Sequence, residues 1–136
     1  NIPILHLVMG DQGGETVQAA ENCVRMLYDR YKNDILFVAS TDLSHFHSSP
    51  EAENMDKTFI AMLEKGDYLG IGRQLETGAV EACGGGPVLA LMRGLSKDHT
   101  IRTLGYSHSG MVMQDNEGVV GYTSALIIKK EEQVRT

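Results

Sequence analysis

The chain has 136 residues, 42% hydrophobic and 22% charged, enough for one domain with a core of its own. Twelve basic residues stand against 18 acidic ones, a formal charge of −6, which argues against a general nucleic-acid binder because phosphate neutralisation needs clustered Lys and Arg. No apolar run approaches the ~20 residues that cross a bilayer. The start lacks a signal-peptide pattern, and two distant cysteines make no disulfide framework. A cytoplasmic protein with neither nucleic-acid nor membrane partners is expected.

In chain order, residues 2–9 form an apolar run bounded by Gly10, which predicts a buried strand. The chain enters this run at Asn1 with no Met or lead-in, so either a processed start or the later part of a longer polypeptide is expected. Residues 10–14 read as a turn, matching neither the dinucleotide fingerprint nor the P-loop. A helix follows from Glu15, with Val17, Ala20, Val24, Leu27 and Tyr31 on its apolar stripe and Cys23 at the border as a core residue. Residues 35–40 form a second β-like run. The polar loop 41–48 then leads to a helix with Ser49 as N-cap and Pro50 at its first position, ending at Gly66. A shorter helix over 67–75, a Cys-Gly loop, an apolar helix over 87–95 and two strands, 100–107 and 119–129, complete the order. Early alternation of strand and helix predicts α/β layering, a sheet with flanking helices and at least one parallel pair, and the last two strands predict an antiparallel hairpin. Residues 1–136 read as a single domain.

The strongest chemical signal is the loop Ser40-Thr41-Asp42-Leu43-Ser44-His45-Phe46-His47. Ligands gather at the carboxyl ends of strands in open α/β sheets, where this loop should lie. Asp42 and His45, three apart, can share a proton, hold a tautomer or bind a metal. Local turn and cap hydrogen bonds are the competing reading. His47 reads as a solvated loop histidine, and His6 as a core or edge residue. Cys83 precedes three glycines and Pro87 at a helix start, where backbone N–H groups would favour a thiolate as ligand or nucleophile; a small residue in a tight turn is the alternative. Tyr106, Ser107, His108 and Ser109 end a strand and could wall the same cleft. A Ser/His/Asp hydrolase drawn from Asp42, His45 or His108 and Ser109 lacks a G-x-S-x-G elbow.

Taken in order, Ser40-Thr41-Asp42-Leu43-Ser44-His45, Ala82-Cys83-Gly84, Gly105-Tyr106-Ser107-His108-Ser109-Gly110 and Val120-Gly121-Tyr122 resemble the Memo family, with its prokaryotic members, called AmmeMemoRadiSam system protein B, the nearest pattern. The resemblance implies a fold similar to the class III extradiol dioxygenases, of which this chain would be the C-terminal half, and a non-haem metal site with iron as the metal. It implies that Cys83 is a metal ligand completed by two histidines from an N-terminal half, and that Asp42 and His45 line the same pocket. Neither His6 nor His47 matches those histidines. Gly85 and Gly86 stand where animal members carry polar residues, which argues against carrying over the phosphotyrosine-peptide binding of those members. Three readings follow. One is a redox or dioxygenase-like protein acting on a small molecule, completed by the missing half or another chain. The second is a non-catalytic peptide- or metabolite-binding module using the same cleft, and the third is a fragment without activity of its own. Exposed apolar surface and self-association are expected of an isolated half.

Overall fold

A computed structural model describes residues 2–95 and 99–130; Asn1, Glu131 and Glu132 fall outside them. Among the described residues five helices run over Gly14–Tyr31 (α1), Ser49–Lys65 (α2), Tyr68–Thr77 (α3), Gly85–Gly94 (α4) and Gly110–Met113 (α5), with a 3-10 turn at Lys32–Asp34. Three strands, His45–His47 (β1), His99–His108 (β2) and Val119–Lys129 (β3), form one sheet in the order β1-β3-β2. No helix among the described residues is long and apolar enough to cross a membrane.

Local signals place the helices. At α2 the N-cap is Ser48, one residue earlier than its sequence suggests. Glu51 accepts from the Ser48 N–H at 3.2 Å and its hydroxyl at 2.6 Å, closing a capping box, with Pro50 in the first turn. The helix ends at Gly66, φ 70°. The terminal hairpin forms as expected, antiparallel from His99↔Lys129 to His108↔Gly121, with a bulge between Thr103 and Gly105.

The two early apolar runs depart from expectation. Residues 2–9 and 35–40 have no strand pairing, and the pairings among the described residues are antiparallel. Val8 is 95%, Leu36 86% and Val38 80% exposed. Residues 35, 37 and 39 are half-buried while 36, 38 and 40 are bare, the period-2 pattern of a strand with one face covered. Apolar residues on both faces suit a strand buried on both sides, but the described residues supply neither neighbours nor a second layer. His6, expected in the core or at an edge, is exposed.

The core is Leu43, Phe59, Leu63, Ile71, Val80 and Met92, drawn from the site loop, α2, α3, the approach to α4, and α4 itself. Burying Phe59 and its neighbours fixes these elements together, so the loop containing Leu43 is held by the core it helps to build. Helix α1 packs on α4. Its stripe buries Val17 and Val24 together with Glu21, which pairs with Arg25 at 2.5 Å and Arg93 at 2.8 Å. Cys23 is only partly buried, and both cysteines are free.

Candidate metal centre

Two loops converge here. The first follows the run 35–40 and carries Asp42 and His45; the second precedes α4 and carries Cys83. The two loops are joined in both directions, Cys83 N–H donating to the Asp42 carbonyl at 3.2 Å and Asp42 N–H to the Cys83 side-chain sulfur at 3.1 Å. Thr41 completes the clasp: its hydroxyl donates to the Asp42 carbonyl at 2.7 Å and accepts the Gly84 N–H at 2.8 Å. Gly84 is required by this approach, because a Cβ there would collide with the Ser40 carbonyl.

The first turn of α4 is satisfied from within the chain. Gly84 N–H goes to Thr41, Gly85 N–H to the Ala82 carbonyl at 3.0 Å and Gly86 N–H to Gln12 Oε1 at 2.6 Å, while Pro87 has none to give. The donors expected from sequence to attract an anion therefore hold the loop instead, and the N–H that reaches the Cys83 sulfur belongs to Asp42. Gln12 also donates to the Cys83 carbonyl at 2.7 Å, so the turn at 10–14 buttresses the cysteine.

Asp42, His45 and Cys83 each place one donor atom within 4.8 Å of the others. His45 Nε2 lies 3.9 Å from Asp42 Oδ2, with side chains 30% and 49% exposed, and Cys83 is exposed. Two ligands on one ion at about 2.0–2.3 Å sit roughly 3.5 Å apart at a tetrahedral angle, so the spacing suits one shared ion after small side-chain rotations. A mixed thiolate, imidazole and carboxylate set suits iron or zinc better than the hard cations. His45 and Cys83 line an open cleft of about 710 Å³, whose walls include Tyr68, Leu69, Arg73 and Leu89.

Glu81 was not singled out from the sequence, yet it holds the loop at two points. It accepts the His45 N–H at 3.0 Å and meets His47 Nε2 at 3.0 Å. Burial alone would raise its carboxyl, but the His45 N–H and the His47 ring outweigh that and hold it below the usual range. His47 is thus paired rather than simply solvated. Between the two histidines Phe46 has φ 62° and is 80% exposed, a conformation an aromatic residue keeps only when its neighbours enforce it. The register of β1 against β3 is irregular at this point.

Tyr106 and His108, expected as possible walls of the cleft, lie outside its lining. Tyr106 donates to Asp56 Oδ2 at 2.8 Å, and His108, 4% exposed, lies 3.6 Å from Glu53. Ser109 accepts the Val120 N–H at 3.0 Å, a turn contact and not a nucleophile's setting.

A family model described as Memo-like protein matches residues 1–126. Similar curated proteins include MEMO1 family proteins of Methanosarcina barkeri (30% identical over 126 residues, 91% of this chain and 48% of that protein), Sulfolobus acidocaldarius (32% over 127, 91% and 44%) and Methanococcus maripaludis (36% over 121, 82% and 42%). The chain spans about half the length of these relatives. Because the family model matches residues 1–126, nearly the whole chain, this chain belongs to the Memo family.

Proposed function

We propose that this chain carries part of a mononuclear non-haem metal site, with iron as the metal, in a Memo-like protein whose chemistry is redox or dioxygenase-like. The observation that supports it is the convergence of Asp42, His45 and Cys83, one donor atom each within 4.8 Å, from loops 41 residues apart. Cys83 would hold the metal, with the Asp42 N–H and Gln12 fixing its sulfur and carbonyl. Bound iron would supply Lewis acidity and a one-electron couple at the mouth of the cleft. Asp42 and His45 would orient a small molecule there, His45 Nε2 giving or taking a proton with Asp42 Oδ2 as its neighbour. In this reading the domain is completed, in an extradiol-dioxygenase-like arrangement, by the part of the Memo domain with no counterpart here or by another chain, and works in the cytoplasm, where both thiols stay reduced. The bare outer face of 35–40 and the exposed run 2–8 favour such a partner.

The test is metal analysis of the purified native protein beside Cys83→Ser. Loss of stoichiometric iron in the variant is expected, and unchanged metal content removes Cys83 from the ligand set. A second reading, a peptide- or metabolite-binding module without catalysis, is favoured by the cleft, which at about 710 Å³ is far larger than an ion needs. Sustained dioxygen-dependent turnover by iron-loaded protein excludes a pure binder.

A further inference from the structure

Asp56 sits on α2, faces the sheet and is 1% exposed. Among the described residues no cation pairs with it. A carboxylate so placed is unfavourable unless each oxygen is hydrogen-bonded, and both are. Oδ1 accepts the Ser44 N–H at 3.0 Å and Oδ2 the Tyr106 hydroxyl at 2.8 Å. Burial first, then the bond to Asp56, pushes the Tyr106 phenol up, which keeps it protonated as the donor. Beneath the carboxylate lies Gly121, where a Cβ would collide with Asp56 Oδ2. Gly121 itself donates to the Ser44 carbonyl at 2.9 Å and accepts from Leu43 N–H at 2.9 Å. One carboxylate therefore keys together the site loop, β3 and β2.

We infer that Asp56 is the positioning residue of the Asp42–His45 pair, holding the Leu43–Ser44 peptide so that both side chains face Cys83. The inference rests on the metal-site reading above. Ser44 lies between the two site residues, and its own hydroxyl is buried without a partner, so its backbone N–H supplies the bond. The next N–H along, that of His45, goes to Glu81. Consecutive amides are thus capped by two carboxylates from different elements, one fully buried and one at the cleft. A ligand set must be held to within about 0.5 Å to bind well, and a loop containing the strained Phe46 needs such external restraint.

The experiment is titration of the native protein with Co(II), following thiolate-to-cobalt charge transfer for Cys83 and the ligand-field bands for geometry, at a temperature where every variant is folded. Asp56→Ala is expected to weaken binding tenfold or more and alter the ligand-field bands. Asp56→Asn, which keeps a carbonyl to accept the Ser44 N–H, is expected to restore most of the affinity. Val24→Ala, which removes buried apolar contacts on α1 without touching the site loop, is expected to bind as wild type. Wild-type affinity in Asp56→Ala, or equal weakening in Val24→Ala, overturns the positioning role while leaving the metal site standing. Tyr106→Phe, which keeps its ring and removes only the hydroxyl bonded to Asp56, tests the same role by a milder change; about threefold weaker binding is expected, and unchanged affinity overturns the inference. A wild type without a charge-transfer band that Cys83→Ser abolishes overturns the metal reading, and this role with it.

Discussion

Replacing Phe46 by asparagine should stabilise the protein with the site loop kept in its conformation. Phe46 holds φ 62°, where a non-glycine residue loses roughly 1–2 kcal/mol relative to the right-handed form. Asparagine enters this region several-fold more readily and removes most of that penalty. The ring is 80% exposed, so truncation forfeits only about 0.3–0.6 kcal/mol, a fifth of the roughly 1.5–3 kcal/mol for a fully buried side chain. Its contact with the His45 ring, centroids 5.9 Å apart and tilted, adds little. The balance is a gain of about 0.5–1 kcal/mol. Glycine removes the strain fully but returns about 0.5–1 kcal/mol to the unfolded chain, leaving it near neutral. Valine, β-branched and poorly suited to positive φ, should lose about 1 kcal/mol. Urea denaturation of the three variants at pH 7, with unchanged m-values, reads these differences. A loss of 1 kcal/mol or more in Phe46→Asn refutes the reasoning, because it means that the ring is packed and the backbone unstrained.

Other outcomes follow from the same structure. Since Glu81 is held below its ordinary range, its contribution is present above the unfolded value near 4.5 and lost as pH falls through the folded one; the stability difference between wild type and Glu81→Gln should shrink between pH 7 and pH 4. Tyr106 is shifted the other way, so its contribution is full below its unfolded value of 10.0 and declines above it, and the alkaline fall in stability should flatten in Tyr106→Phe. Phe59, 1% exposed at the centre of the core, should lose about 3–5 kcal/mol on truncation to alanine, seen as a lower urea midpoint. For the 136-residue chain by itself, Leu36→Glu with Val38→Lys should leave stability within about 0.5 kcal/mol but reduce self-association in sedimentation. A monodisperse wild-type monomer would count against exposed apolar surface as the driver.

The helices were legible because their signals are local. A Ser48/Glu51 box, Pro50 and Gly66 mark α2 within a few residues of themselves, and periodic apolar positions need no knowledge of the partner. The hairpin of β2 and β3 was legible because its two halves are adjacent. Residues 2–9 and 35–40 were misjudged for the opposite reason: apolar, β-branched composition reports suitability for a strand, but a strand exists only when another backbone takes up its N–H and C=O groups. Those neighbours do not lie among the described residues.

The site divides along the same line. The sequence by itself marked Asp42, His45 and Cys83 as candidates, through residue type and through the order of the motifs that resemble the Memo family. Tertiary structure decided how they are held. Gln12 and Thr41 occupy the N–H groups of α4 that sequence had assigned to an anion, Glu81 takes the His45 amide, and Asp56 takes the Ser44 amide. Each of these is a contact over 12 or more residues, and no periodicity announces it. Side-chain identity is written along the chain, whereas the direction in which a backbone N–H points depends on the whole fold around it.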